Sequence, residues 1–121
     1  RIINVGPLDQ EQLAAYFQHA SALLMPTTLE SFSGTYLEAM SFGLPILTSD
    51  LDFAREICAD AASYFDPWSA ASLCEAITDF SNQPDLAKEL SRQGELRLDQ
   101  LQWDWQKNAE RIVNLLPELI N

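Results

Sequence analysis

Positive charge is scarce in this chain. Of its 121 residues only 7 are Lys or Arg, against 18 Asp or Glu, which sets the net charge at −11. Nucleic-acid binding depends on clustered Lys and Arg meeting phosphates, and anionic membrane surfaces attract the same clusters. The balance therefore argues against both partners. Histidine is scarcer still, with His19 alone, and the two cysteines, Cys58 and Cys74, stand sixteen positions apart with no CxxC pair. A zinc site has almost nothing to build from, and no metal or other cofactor is expected. The cysteines read as reduced, buried thiols of a cytosolic protein, with a single disulfide as the alternative. No apolar run approaches the ~20 residues of a membrane span. The opening RIINVGPLD has one Arg and a short apolar stretch before it turns polar, unlike a signal peptide. Repeats and low-complexity linkers are also missing.

What is present fits one globular domain, 47% hydrophobic and 21% charged. A chain of this length hides roughly two-thirds of its unfolded surface, enough for an ordinary core. Short apolar runs alternate with helical patterns. Ile2 to Val5 is a β-branched run closed by Gly6-Pro7 and reads as a strand. Asp9 with Gln12 forms a capping box that opens an amphipathic helix to about Ala20. Strands follow at Ala22 to Met25, Pro45 to Thr48 and Ala62 to Phe65. Between them, Thr35 to about Phe42 and Phe53 to Cys58 read as helices, the first ended by Gly43 and Pro45. Three helices, at about 69–82, 84–100 and 104–120, close the chain. Strands alternating with helices imply an α/β class, with a Rossmann-like parallel sheet of about four strands covered on both faces.

In an open parallel sheet, ligands bind beyond the carboxyl ends of the strands. Of the loops there, Pro26 to Gly34 stands out. It carries Thr27, Thr28, Ser31, Ser33, Gly34 and Thr35 from a strand end straight into a helix N-terminus. Unpaired amides and about half a positive charge gather at such a terminus, so it can hold a phosphate without any basic side chain. The plainer alternative is that small hydroxyl residues merely cap the helix. Glu38, about one turn into the helix, is favoured there by the dipole and says little alone. Glu30 precedes the helix, where that explanation does not apply. A carboxylate can accept from two vicinal hydroxyls of a ribose or hexose, so the pair points to a nucleotide-sugar.

Residues 26–50 carry the pattern P-x3-E-x-F-x5-E-A-M-x-x-G-x-P-I-x-x-S-D through Pro26, Glu30, Phe32, Glu38, Ala39, Met40, Gly43, Pro45, Ser49 and Asp50. This resembles the signature of the retaining group 1 glycosyltransferases of GT-B fold (family 4-like), as do VGPL, ALLMP and QWDWQKNAERI elsewhere. The resemblance implies that residues 1–121 are part of a donor-binding C-terminal domain. By it, Glu38 binds the ribose hydroxyls of a nucleotide-diphosphate sugar, and Glu30, the catalytic candidate, lies beside the transferred sugar. The loop around Ser31 would face the donor, the amides of Phe32 and Ser33 its sugar hydroxyls, and those of Gly34 and Thr35 its diphosphate. Pro7 and Leu8 would line the base pocket. The family usually has Gly at Ser31, and Gly then an apolar residue at Ser33 and Gly34, which bears on the shape of the sugar pocket.

The same resemblance places residue 1 at the third strand of that domain, so the acceptor-binding domain and a basic pair upstream are expected to lie outside these residues. None of the seven basic residues falls in the Pro26–Thr35 loop. The 121 residues alone are therefore expected to be inactive. A strand at Ala22–Met25 would expose an edge, covered by Ile2–Val5 or by a second copy in a homodimer. The full-length enzyme is expected to be bacterial and cytoplasmic, or peripheral to the inner membrane, with an unknown acceptor. An alternative is a non-catalytic nucleotide-binding or assembly module. A phospho-accepting receiver domain fits poorly, because Gly6-Pro7 ends the first strand and both lysines fall in terminal helices. Trp68, Trp103 and Trp105 are expected to pack in the core or between helices. Tyr36 reads as packing, His19 as a surface residue or a partner of a helix C-terminus, and Asp50 and Asp52 as turn residues, with a ligand role as the alternative. Glu56 lies on a solvated helix face or, by the resemblance, near the sugar.

Overall fold

The computed structural model describes residues 1–102 and 104–120. Its elements are α1 (Gln10–His19), β1 (Leu23–Met25), α2 (Gly34–Ser41), β2 (Ile46–Ser49) and α3 (Asp52–Cys58), then a 3₁₀ turn, β3 (Ala62–Phe65), α4 (Ala70–Asn82), α5 (Pro84–Leu101) and α6 (Trp105–Ile120). The three strands are parallel in the order β1-β2-β3, with Leu24 opposite Leu47 and Leu47 opposite Ser63. The α/β class and the three terminal helices therefore match the sequence reading.

Local signals place most boundaries. Asp9 accepts from the Gln12 amide at 2.8 Å while the Gln12 side chain accepts from the Asp9 amide, the reciprocal cap expected for α1. Gly43 follows α2 with φ +67°, the left-handed conformation that glycine adopts without a Cβ clash. Ile46, Leu47, Thr48 and Ser49 are all buried, as a central parallel strand requires.

The main core gathers Tyr36, Leu37, Met40, Ile46, Ala54 and Ile57, with Phe17 of α1 stacked on Phe42 at 5.5 Å. A smaller cluster of Leu47, Phe65 and Ala76 lies beneath α4. At Gly94, α5 comes so close to α2 that an added Cβ would stand 3.3 Å from Met40 Cγ. That contact packs the middle of α5 against the last turn of α2.

Three expectations fail. Ile2–Val5 belongs to no strand, and Ile2 is fully exposed, so it neither adds a fourth strand nor covers the edge of β1. A β-branched run becomes a strand only with a ladder partner, and among the described residues β1 pairs only with β2. Trp68 is 78% exposed, lifted outward by the turn in which Asp66 accepts the Trp68 amide at 2.9 Å. Trp103 lies outside the described residues, and so does the side chain of Trp105. The cysteines are both free, yet only Cys58 is buried and Cys74 is exposed. Tyr36 is buried as expected, and the Nδ1 of His19 donates to the Ala15 carbonyl at 2.8 Å in the last turn of α1.

Candidate functional site

The loop of residues 26–33 leaves the carboxyl end of β1 and enters α2. Its two ends are tied through one buried hydroxyl. Thr48 Oγ1, on β2, donates to the Met25 carbonyl at 3.1 Å. Since that bond uses the Thr48 proton, the Tyr36 hydroxyl donates to Thr48 Oγ1, at 2.7 Å. Met25 is the last residue of β1 and Tyr36 lies in the first turn of α2, so the staple closes the loop at its base. Burial pushes the Tyr36 phenol above its ordinary value. Glu30 pushes in the same direction, which sets that carboxylate within electrostatic reach of the loop's base.

Ser33 occupies the N-cap of α2 without a side-chain bond into the helix, whereas Asp9 and Ser69 cap α1 and α4. The first turn of α2 carries no acid either. Its leading amides therefore lack the usual carboxylate or hydroxyl partner, which is the arrangement that accepts an anion.

Two adjoining cavities flank this turn and share Leu37. The larger, about 880 Å³, runs along Gly34, Glu38 and Ser41 of α2 and is closed by Asp99 of α5 with Asp104 and Lys107. The smaller, about 300 Å³, is lined by Ser31 and Phe32 of the loop, Phe53 and Glu56 of α3, Leu101 of α5 and Asn108 of α6. Gly34 and Glu38 thus share one cavity, while Ser31 and Phe32 share the other. Glu30 and Thr35 are half-buried, Ser33 is buried, and none of the three lines either space. Pro7 is exposed and Leu8 half-buried on the N-terminal segment, and they too line neither cavity.

Sequence reasoning missed Lys107, Phe53 and Asn108. Lys107 brings a cation into the cavity of Gly34 and Glu38, where it stands 3.9 Å from Asp104. No local pattern announces it, because α6 is far along the chain and reaches the site only by the path of α5. Asp50 and Arg55 pair at 2.6 Å beyond β2, and that bond holds the Asp50 carboxyl below its usual range. The Arg55 guanidinium also stacks 3.9 Å over the Tyr64 ring, so it is committed within the chain.

The family model described as Glycosyl transferases group 1 matches residues 1–97. D-inositol 3-phosphate glycosyltransferase of Streptomyces avermitilis is 32% identical over 108 residues, covering 85% of this chain and 23% of that protein. Glycogen synthase of Mycobacterium tuberculosis is 30% identical over 107 residues, covering 87% of this chain and 26% of that protein. Among solved structures, sucrose-phosphate synthase from Thermosynechococcus elongatus superposes with a TM-score of 0.83 at 27% identity, over 96% of this chain and 29% of that one. The chain thus spans roughly a quarter of the length of these relatives.

Proposed function

Because the chain belongs to the group 1 glycosyl transferases, we propose that it is the donor-binding part of an enzyme that moves a sugar from a nucleotide-diphosphate sugar to an acceptor with retention. The observation that carries the reading is the first turn of α2, whose N-cap makes no side-chain bond, opening beside a cavity that Gly34 and Glu38 line together. The diphosphate rests on the amides of Gly34 and Thr35, with Lys107 nearby, and needs no metal in this reading. Glu38 accepts the ribose hydroxyls. Glu30 lies beside the transferred sugar, with Ser31 and the amides of Phe32 and Ser33 around its hydroxyls. Pro7 and Leu8 form the base pocket only when the N-terminal segment is drawn onto the bound donor.

Transfer itself requires a second surface for the acceptor and more positive charge than these residues hold, so the 121 residues alone bind without turning over. In this reading the full-length enzyme works in the cytoplasm or against the membrane face, and the open edge of β1 pairs with a second copy.

Calorimetric titration with UDP, GDP and ADP tests the reading. At least one diphosphate should bind, and Glu38→Gln should weaken it about tenfold, the effect of losing one charge-assisted hydrogen-bond pair. Silence from all three at millimolar concentration would instead favour a structural or assembly module. Sedimentation at the same concentrations reads the pairing, and a monomer throughout would sink that part.

A further inference from the structure

Two facing parts of the smaller cavity's lining come from different parts of the chain. One is the loop, through Ser31 and Phe32, and the other is α3, through Phe53 and Glu56. Aromatic and aliphatic faces with a few convergent polar groups suit a single hexose, whose carbon face is apolar and whose hydroxyls seek a carboxylate. Among the described residues that line the cavity, Glu56 is the carboxylate. Its position depends on the end of α3, a helix of only seven residues.

That end is held by a long-range contact. The Arg97 guanidinium, on α5, donates from Nη2 to the Glu56 carbonyl at 2.6 Å and from Nε to the Ile57 carbonyl at 2.8 Å. Its Nη1 reaches Gln100 Oε1 at 3.3 Å. These are two of the carbonyls that a helix C-terminus leaves without intrahelical partners, and a cation there also meets the negative end of the dipole. The residue that follows α3, Ala59, holds φ +47°, a conformation that costs a non-glycine residue energy and persists only where neighbours fix it. The Tyr64 hydroxyl supplies the second restraint, donating to the Ala59 carbonyl at 2.6 Å. Beyond Arg97 in the same helix, Leu101 lines the cavity directly.

We infer that Arg97 is a positioning residue for the sugar end of the donor: by gripping the last turn of α3 it fixes Glu56 against the loop that carries Ser31 and Phe32. The inference rests on the donor reading above. It says nothing of the diphosphate, which sits at the other cavity, and that separation makes it testable.

The test titrates the 121-residue chain with UDP and UDP-glucose, GDP and GDP-mannose, and ADP and ADP-glucose. The ratio of affinities within a pair reads the contribution of the sugar alone. Arg97→Gln and Glu56→Gln should each collapse the ratio by about tenfold while moving diphosphate affinity less than about twofold. The double variant should lose no more than either single one, because the two residues act through one contact. Arg97→Lys, with fewer donors in a different geometry, should give an intermediate ratio. A wild-type ratio in folded Arg97→Gln, or losses that add in the double variant, overturns the inference. Where circular dichroism shows that Arg97→Gln does not fold, Arg97→Lys decides: a reduced ratio supports the inference and a wild-type ratio overturns it. A chain that binds the diphosphates with no sugar preference overturns this inference and leaves the donor reading standing. A chain that binds no diphosphate overturns both.

Discussion

Two segments carry the residues assigned to the donor, and they are held in opposite ways. The loop of residues 26–33 is closed at its base by Tyr36, Thr48 and Met25, with a buried bond of 2.7 Å and a part-buried one of 3.1 Å. The segment of residues 1–8 has one side-chain bond of its own, from the Gly6 amide to Asn4 at 2.9 Å, and all its residues but Leu8 are exposed. Both were assigned donor contacts for the same reason, a resemblance read along the chain. Only one of them has an architecture that holds its residues in place without the donor. The difference shows that a binding residue is defined by what fixes it as much as by what it could touch.

The largest effect should come from removing the staple. Thr48→Val keeps the shape of the side chain but leaves the buried Tyr36 hydroxyl and the half-buried Met25 carbonyl without that partner. At roughly 1–3 kcal/mol for each stranded group, the cost should be about 2–4 kcal/mol in urea unfolding. Tyr36→Phe, which leaves Thr48 bonded to Met25, should cost about 1 kcal/mol. If Thr48→Val costs less than Tyr36→Phe, the loop is no better tied than the N-terminal segment and the contrast disappears.

Alkaline pH should break the same staple more gently. Burial keeps the Tyr36 phenol protonated above its ordinary value of 10.0. The folded state therefore binds the proton more tightly than the unfolded chain. The stability this confers is complete below pH 10.0 and is lost as pH rises through the folded value. Cys58, raised from 9.0 to about 12 by burial, and Tyr64, raised also by burial, act in the same direction. Tyr36→Phe leaves those two in place, so it should lose less stability than the wild type between pH 9 and 11. Equal slopes for the two proteins would show that the Tyr36 hydroxyl is not held as described.

Much of the fold was legible because its signals are local. The capping box of Asp9 and Gln12, the Gly43-Leu44-Pro45 stop and the strand of Ala62–Phe65 are each written within a few residues and appear where the sequence put them. The loop-to-helix entry at Gly34 was legible for the same reason. What was not legible depends on partners far along the chain. Tyr36 read as simple packing because its hydroxyl partner is twelve residues away. Arg97 drew no notice because the carbonyls it binds are 40 and 41 residues away. Ile2–Val5 has the composition of a strand, but composition cannot supply a neighbour. Trp68 shows the reverse error, since a preference for burial yields to a turn that directs the side chain outward.

The smallest expected effect lies at the other pole of the comparison. Ile2 is 100% and Ile3 67% exposed, so neither contributes much buried area to the fold. Replacing both with Ser should change unfolding stability by less than about 0.5 kcal/mol, the usual range for surface sites that touch no special feature. It should also leave sedimentation unchanged, because the edge offered to a second copy is β1 rather than this segment. The informative outcome is a larger loss that appears only when a nucleotide diphosphate is present. That result would mean that the donor recruits residues 1–8 on binding and that Pro7 and Leu8 acquire their pocket only then, with the ordering entropy charged against affinity. A loss of equal size with and without nucleotide would place Ile2 and Ile3 in the folded core and erase the contrast between the two segments.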